Sequence, residues 1–228
     1  SRPAERTRRP TGAAAVSRGV FITFEGTEGG GKSTQIKLLA ERLRAEGREV
    51  MELREPGGTP VGEEIRHLLK HSEANRAMTA EAELLLMCAS RAQLVREVIR
   101  PALAAGKIVL CDRFLDSTTA YQGHGRQLDL ARVRSVIELA VGDTRPDLTL
   151  FLHVPIEVSE QRRRAREQAQ PRLRDRFEEA DRAFFERVEQ GFQAIARAEP
   201  ERFVTVEATP SIEAVHAAIW RQVAARLK

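Results

Sequence analysis

Nine residues, Gly26-Thr27-Glu28-Gly29-Gly30-Gly31-Lys32-Ser33-Thr34, restrict what this chain can fold into more than any other segment. The apolar run from Val20 to Phe24 precedes them and reads as a buried strand ending at Glu25-Gly26. After them, the stretch from Lys32 to Glu46 carries Ile36, Leu39 and Leu43 on one helical face and stops at Gly47. A strand, a glycine-rich turn closed by Lys-Ser, and a helix make the arrangement of a phosphate-binding P-loop. Glycines let the backbone wrap a phosphate so that several N–H groups point inward, at a helix N-terminus that already favours anions. Lys32 is then expected to reach the β- and γ-phosphates of a nucleoside triphosphate, and the Ser33 hydroxyl to ligate Mg²⁺.

The rest of the chain alternates in the same way. Further strands are expected at Glu49–Leu53, Lys107–Cys111, Asp147–Val154 and Arg202–Glu207. Helices are expected from Val61 to about His71, and from Thr79 to Ala105 with an interruption at Pro101. More follow from Asp116 to about Gln122, Ala131 to Val141 and Ser211 to Leu227, and two arginine-rich stretches surround a turn at Gln170-Pro171. Alternation of this kind implies an α/β fold, a five-stranded parallel sheet with helices on both faces. Ligands bind such sheets beyond the strands' carboxyl ends, where Gly26–Ser33, Arg54–Thr59 and Asp112-Arg113 all fall. No repeat or interdomain linker is visible, so residues 19–228 read as one domain, with residues 1–18 a disordered, arginine-rich extension.

Composition narrows the function less. A net charge of +4 from 37 basic residues, mostly arginine, suits an anionic substrate, although it equally describes a solvated surface. Cys88 and Cys111 sit in apolar segments and form neither a disulfide framework nor a metal site. No apolar run has membrane-spanning length and residues 1–18 lack the apolar stretch of a secretory signal, so the expected location is cytoplasmic.

Three further features carry chemistry. Asp112, closing the third expected strand, is the natural second anchor for the metal, with a structural ion pair to Arg113 as its alternative role. Arg113 points toward the triphosphate site and is placed to hold a second anion. The run Arg162, Arg163, Arg164, Arg166, Arg172, Arg174 and Arg176 has no aromatic neighbour between Gln161 and Arg176 for stacking bases, and too few acids for a solvated face. It reads as a lid, over about residues 160–178, that folds arginines onto transferring phosphates and excludes water. No His or Asp is evidently placed as a general base, although Glu55 is a candidate. A phosphate-monoester acceptor needs none, because its second pKa of about 6 leaves it largely dianionic.

Phe24-Glu25-Gly26, Arg54-Glu55-Pro56-Gly57-Gly58-Thr59, Asp112-Arg113-Phe114, Asp116 to Gly123 and Arg145-Pro146-Asp147 together resemble the thymidylate kinase family, from Gly19 to the C-terminus. The resemblance implies ATP- and Mg²⁺-dependent phosphorylation of dTMP to dTDP by a homodimer, with no nucleic-acid or membrane partner. It implies that Gly26 to Thr34 hold ATP and that Lys32, Arg113, Arg162 and Arg166 act on the transferring phosphoryl group. Arg66 and Arg113 resemble the arginines that grip the dTMP phosphate, with Glu55 near the sugar and metal. Arg91 resembles the arginine that bonds the thymine carbonyl, Thr118 and Gln122 fall where thymine edge and sugar are read, and Tyr121 lies in the region that rejects a ribose 2′-OH. Met87 stands where a stacking Phe is common, and a thioether covers less of a base face. Gly29 stands where some members keep an arginine, so this chain resembles the kind whose basic residues are in the lid. Another nucleotide or nucleoside kinase on the same scaffold, or a P-loop module that binds nucleic acid through its basic segment, are the competing readings.

Overall fold

The structure, a computed structural model, describes residues 18–169, 177 and 180–227. Five strands, β1 (Phe21–Glu25), β2 (Val50–Arg54), β3 (Ile108–Asp112), β4 (Leu148–His153) and β5 (Phe203–Glu207), form one parallel sheet in the order β2-β3-β1-β4-β5. Every residue of β1 is buried, as a central parallel strand covered on both faces requires. β1 pairs with β3 on one side and β4 on the other; the chain runs from β1 out to β2 on the first side and later crosses from β3 to β4 on the second. The carboxyl end of β1 is therefore the switch point of the sheet. Register sets Arg54 opposite Asp112, Asp112 opposite Phe24 and Glu25 opposite Phe151.

Helices cover both faces. Ile22 and Phe24 point to the face packed by α1 (Lys32–Ala45) and α9 (Ile212–Arg226) through Leu39, Leu43, Ile219 and Val223. Phe21 points the other way, against α3 (Ala80–Leu94) and α6 (Leu130–Val141), where Leu94, Val133 and Ile137 are buried. The remaining helices are α2 (Pro60–Lys70), α4 (Arg100–Ala104), α5 (Leu115–Thr118), α7 (Ile156–Ala169) and α8 (Arg182–Ala198). The side chains of Thr59, Thr79, Asp129, Asp181 and Ser211 cap α2, α3, α6, α8 and α9. Helix α1 begins instead on Gly31, with no side-chain cap, leaving its first amides for an anion.

Two elements differ from the sequence expectation. The interruption at Pro101 is a π turn over Val95–Ile99 that leads straight into α4. Pro101 has no N–H to give back to the preceding turn, and the wider turn takes up that defect without breaking the helix. The expected Asp116–Gln122 helix is one α turn, α5, followed by a π segment over Thr119–Gly125. The first arginine-rich stretch is α7. The turn at Gln170-Pro171 and Arg172, Arg174 and Arg176 lie outside the described residues.

Helix α8 buries Phe184, Phe185, Val188, Phe192 and Ile195 along one side. Phe192 stacks on Phe151 of β4 with centroids 4.8 Å apart and lies near Phe203 of β5. Beside this aromatic layer, buried Asp116 takes a bidentate pair from Arg202 at 2.7 and 2.8 Å and a third bond from Thr149. Phe192→Ala should lower unfolding stability by about 3–5 kcal/mol, seen as a drop in urea midpoint at unchanged slope. A loss below about 1 kcal/mol would show that this layer does not anchor α8.

Candidate active site

The loop between β1 and α1 is possible only with glycine at its tight points. Gly26 has φ 132°, and a Cβ there would stand 2.5 Å from the Leu152 carbonyl; Gly31 has φ 85°. Lys32 is buried, and its ammonium donates to the carbonyls of Gly26 and Thr27, each at 3.1 Å. Burial, then the Arg113 charge, pulls its pKa below the usual lysine value against Asp112, Glu28 and Glu25. Ser33 Oγ donates to Asp112 Oδ2 at 3.3 Å, while Asp112 Oδ1 is buried without a hydrogen-bond partner. No group of three His, Cys, Asp or Glu among the described residues is arranged to hold a metal by itself. A Ser hydroxyl beside an open carboxylate oxygen suits a cation that takes its other ligands from phosphate and water.

Two cavities meet at this point. One, of about 370 Å³, is polar and is lined by loop residues including Gly29, Lys32, Ser33 and Thr34, with Arg66 and Asp112 opposite. The other, of about 40 Å³, is more apolar, between Pro56, Met87, Ser117, Tyr121, Phe177 and Phe185. Glu28, Glu55, Lys70 and Arg113 line both.

Arg113 occupies the junction. Its φ is 70°, a left-handed conformation that costs a non-glycine residue energy and tends to accompany function. Its N–H donates to the Phe24 carbonyl, Nη1 to Ser117 Oγ at 3.1 Å, and Nη2 to Glu28 at 3.3 Å. The ion pair left open with Asp112 in the sequence is thus made with Glu28 instead. Burial opposes the arginine's charge, but Tyr121, Glu28, Asp112 and Glu25 outweigh it and raise its pKa. Ser117 in turn donates to Glu25 Oε2 at 2.5 Å, and Glu25 Oε1 accepts from the backbone N–H of Phe114 and Ser117. This fully buried carboxylate therefore fixes the start of α5 and, through Ser117, the guanidinium of Arg113.

The other expected residues divide. Arg66, Met87 and Tyr121 line the cavities, and Arg66 donates to the Pro56 carbonyl at 2.9 Å. Arg91 lies beneath, 2% exposed, with all three nitrogens engaged by Glu55, Thr118 and the Phe114 carbonyl. It props Glu55, whose pKa burial raises against Arg91 and whose Oε1 has no hydrogen-bond partner. Thr118 is spent on Arg91, and Gln122 is fully buried, donating to Glu83, which also takes Arg126. Arg162 donates to the carbonyls of Gly29 and Ala208, and Ser159 Oγ donates to the Glu28 carbonyl at 2.6 Å, so α7 is latched onto the loop. The Arg166 side chain lies outside the described residues. Sequence reasoning missed Glu25, Ser117, Ser159 and Lys70. Only Lys70 left a signal, because four residues after Arg66 puts both on one face of α2.

The Glu25 carboxyl is pushed up from 4.5 to about 7, by burial first and by Asp116 second, against Arg113, Ser117 and Phe114. A carboxyl raised on folding contributes stability that is present below its unfolded pKa and lost as pH rises through its folded one. Glu25→Gln should therefore remove a loss of on the order of 3 kcal/mol between pH 4.5 and 7. Urea midpoints at pH 5 and 8 measure it; the same pH dependence in the variant would contradict the assignment.

Comparison with known proteins agrees with this geometry. The thymidylate kinase family profile matches residues 24–219. Thymidylate kinase of Pseudomonas fluorescens Pf-5 is 51% identical over 197 residues, 86% of this chain and 91% of that protein. That of Alcanivorax borkumensis is 50% identical over 203 residues, 89% of this chain and 95% of the other. A crystal structure of thymidylate kinase from Ehrlichia chaffeensis superposes with a TM-score of 0.73 at 32% identity, covering 90% of this chain and 99% of that one. The chain belongs to the thymidylate kinase family.

Proposed function

We infer that this chain transfers the γ-phosphoryl group of ATP to the phosphate of dTMP, giving dTDP on the way to dTTP. The observation that carries the reading is the junction of a phosphate-sized polar cavity with an apolar one across Glu28, Glu55, Lys70 and Arg113. Two anionic groups fit end to end there, with a base beyond. Gly26 to Thr34 cradle the ATP phosphates, Lys32 leaves its carbonyls for the β- and γ-oxygens, and Ser33 with Asp112 Oδ1 would hold Mg²⁺. The metal, when bound, neutralises charge that develops on the phosphoryl oxygens. Arg113 and Arg66 hold the acceptor phosphate, which attacks as a dianion without a general base.

The base site lies between Met87, Tyr121 and Phe177. At about 40 Å³ it is far below the several hundred typical of ligand pockets, so the thymine ring enters by displacing these side chains. Glu55, propped by Arg91, offers Oε1 to the sugar, and Tyr121 crowds a ribose 2′-OH. Arg91 and Thr118 meet the thymine edge only after parting from each other, whereas Gln122 has a buried Oε1 without a hydrogen-bond partner to offer. Arg162 and Arg166 belong to the lid, residues 160–178, which supplies cationic charge where Gly29 supplies none. Residues 19–228 act as one kinase domain. Helices α2, α3 and α6 pack side by side and expose Leu85 (58%) and Leu139 (78%), an apolar face that suits a homodimer. Two free buried cysteines fit a reducing, cytoplasmic location, and no described helix is long and apolar enough to cross a membrane.

Coupled ADP release with dTMP, dUMP, dCMP and thymidine as acceptors tests the reading. dTMP should be turned over fastest; turnover of thymidine but not dTMP would overturn it. Met87→Phe, with more area over the base, should lower the KM for dTMP about threefold to tenfold, the equivalent of about 0.5–1.5 kcal/mol of aromatic contact. An unchanged or higher KM would contradict the proposed stacking position.

A further inference from the structure

Lys70 closes α2 and lies one helical turn beyond Arg66, on the same face. It lines the polar cavity with Arg66 and Arg113, and it lines the apolar one as well. Its ammonium stands 5.9 Å from the centre of the Phe177 ring, at the outer limit of a cation–π contact. The charge balance at the junction gives this position meaning. Glu28 and Glu55 both face it, and Arg113 spends part of its guanidinium on Glu28. An acceptor carrying two negative charges must come to rest beside those two carboxylates. Arg113, already committed in part to Glu28, and Arg66 leave room there for a further cation to offset the added charge.

We propose that Lys70 is a further acceptor-binding residue, whose ammonium contacts the phosphate dianion of the acceptor nucleotide alongside Arg66 and Arg113. This rests on the kinase reading above. A lysine suits the task as a compact, mobile point charge with three donors, able to follow the phosphate as transfer proceeds. The neutral thymine ring gives an ammonium nothing comparable, and an apolar wall would exact its desolvation. Lys70 therefore distinguishes a nucleotide from a nucleoside, and its stem, not its charge, borders the base.

The test compares wild type with Lys70→Met, which keeps the apolar stem, and Lys70→Arg, which keeps the charge. For each, the KM of dTMP and of ATP and the inhibition constant of thymidine, the same nucleoside without phosphate, are measured. The Met variant should raise the dTMP KM at least tenfold, leave the ATP KM and thymidine constant within twofold, and be largely rescued by Arg. An unchanged dTMP KM, or a thymidine constant that rises in parallel, overturns the proposal, since a supporting or base-facing role predicts that pattern. Thermal unfolding of both variants within a few degrees of wild type excludes a folding defect. Wild-type enzyme without dTMP turnover would instead defeat the functional reading itself, and this inference with it.

Discussion

A single buried carboxylate organises the site. Glu25 ends the central strand with no solvent to stabilise its charge, and it satisfies itself with two backbone amides and the Ser117 hydroxyl. Those bonds tie the carboxyl end of β1 to the start of α5, across 92 residues of sequence. They leave Arg113 between two fixed points, its backbone on Phe24 and its guanidinium on Ser117. The left-handed backbone at Arg113 persists because its surroundings determine it from both sides. The glycine loop begins at the residue after Glu25, so the loop and Arg113 share one rigid origin.

Electrostatics explains why so much charge gathers there. Transfer between two phosphates requires little covalent help from the protein and much positioning and charge compensation. Lys32, Arg54, Arg66, Lys70 and Arg113 line the polar cavity against Glu28, Glu55 and Asp112. Carboxylates in and beside the cavity keep the cations apart and oriented before substrate arrives: Glu28 holds Arg113, and Glu63 of α2 holds Arg54. Preorganisation of this kind reduces the reorganisation left for the reaction itself. Helix α7 joins the same scheme at its N-terminal half, where Ser159 and Arg162 bind loop carbonyls and Glu157 pairs with Arg182 of α8.

Local features were legible in the sequence because their causes are local. The glycine loop, the buried apolar strands and the helix ends follow from backbone freedom, burial on both faces and capping chemistry. Arg113 and Asp112 could be named because they directly follow, or end, a strand at the carboxyl edge of the sheet. Partnerships could not be read, since each joins distant segments: Glu25 with Ser117, Glu55 with Arg91, Glu83 with Gln122. Arg91 and Gln122 were expected at the ligand; what the sequence did not show is that both are buried and donate to carboxylates the chain brings in from elsewhere. Lys70 looked like an ordinary lysine in the last turn of a helix, where the dipole welcomes a cation. Only the opposing wall of the site separates the two roles.

Arg113 is proposed to couple the glycine loop to the acceptor phosphate. A crystal structure with thymidine and adenosine joined through a phosphate chain, in the presence of Mg²⁺, tests it most directly. It should show the Arg113 guanidinium still on Ser117 and within hydrogen-bond distance of the thymidine-side phosphate, with Ser33 and Asp112 beside the metal. A bound ligand whose phosphates make no contact with Arg113, leaving it on Glu28 alone, would contradict the account.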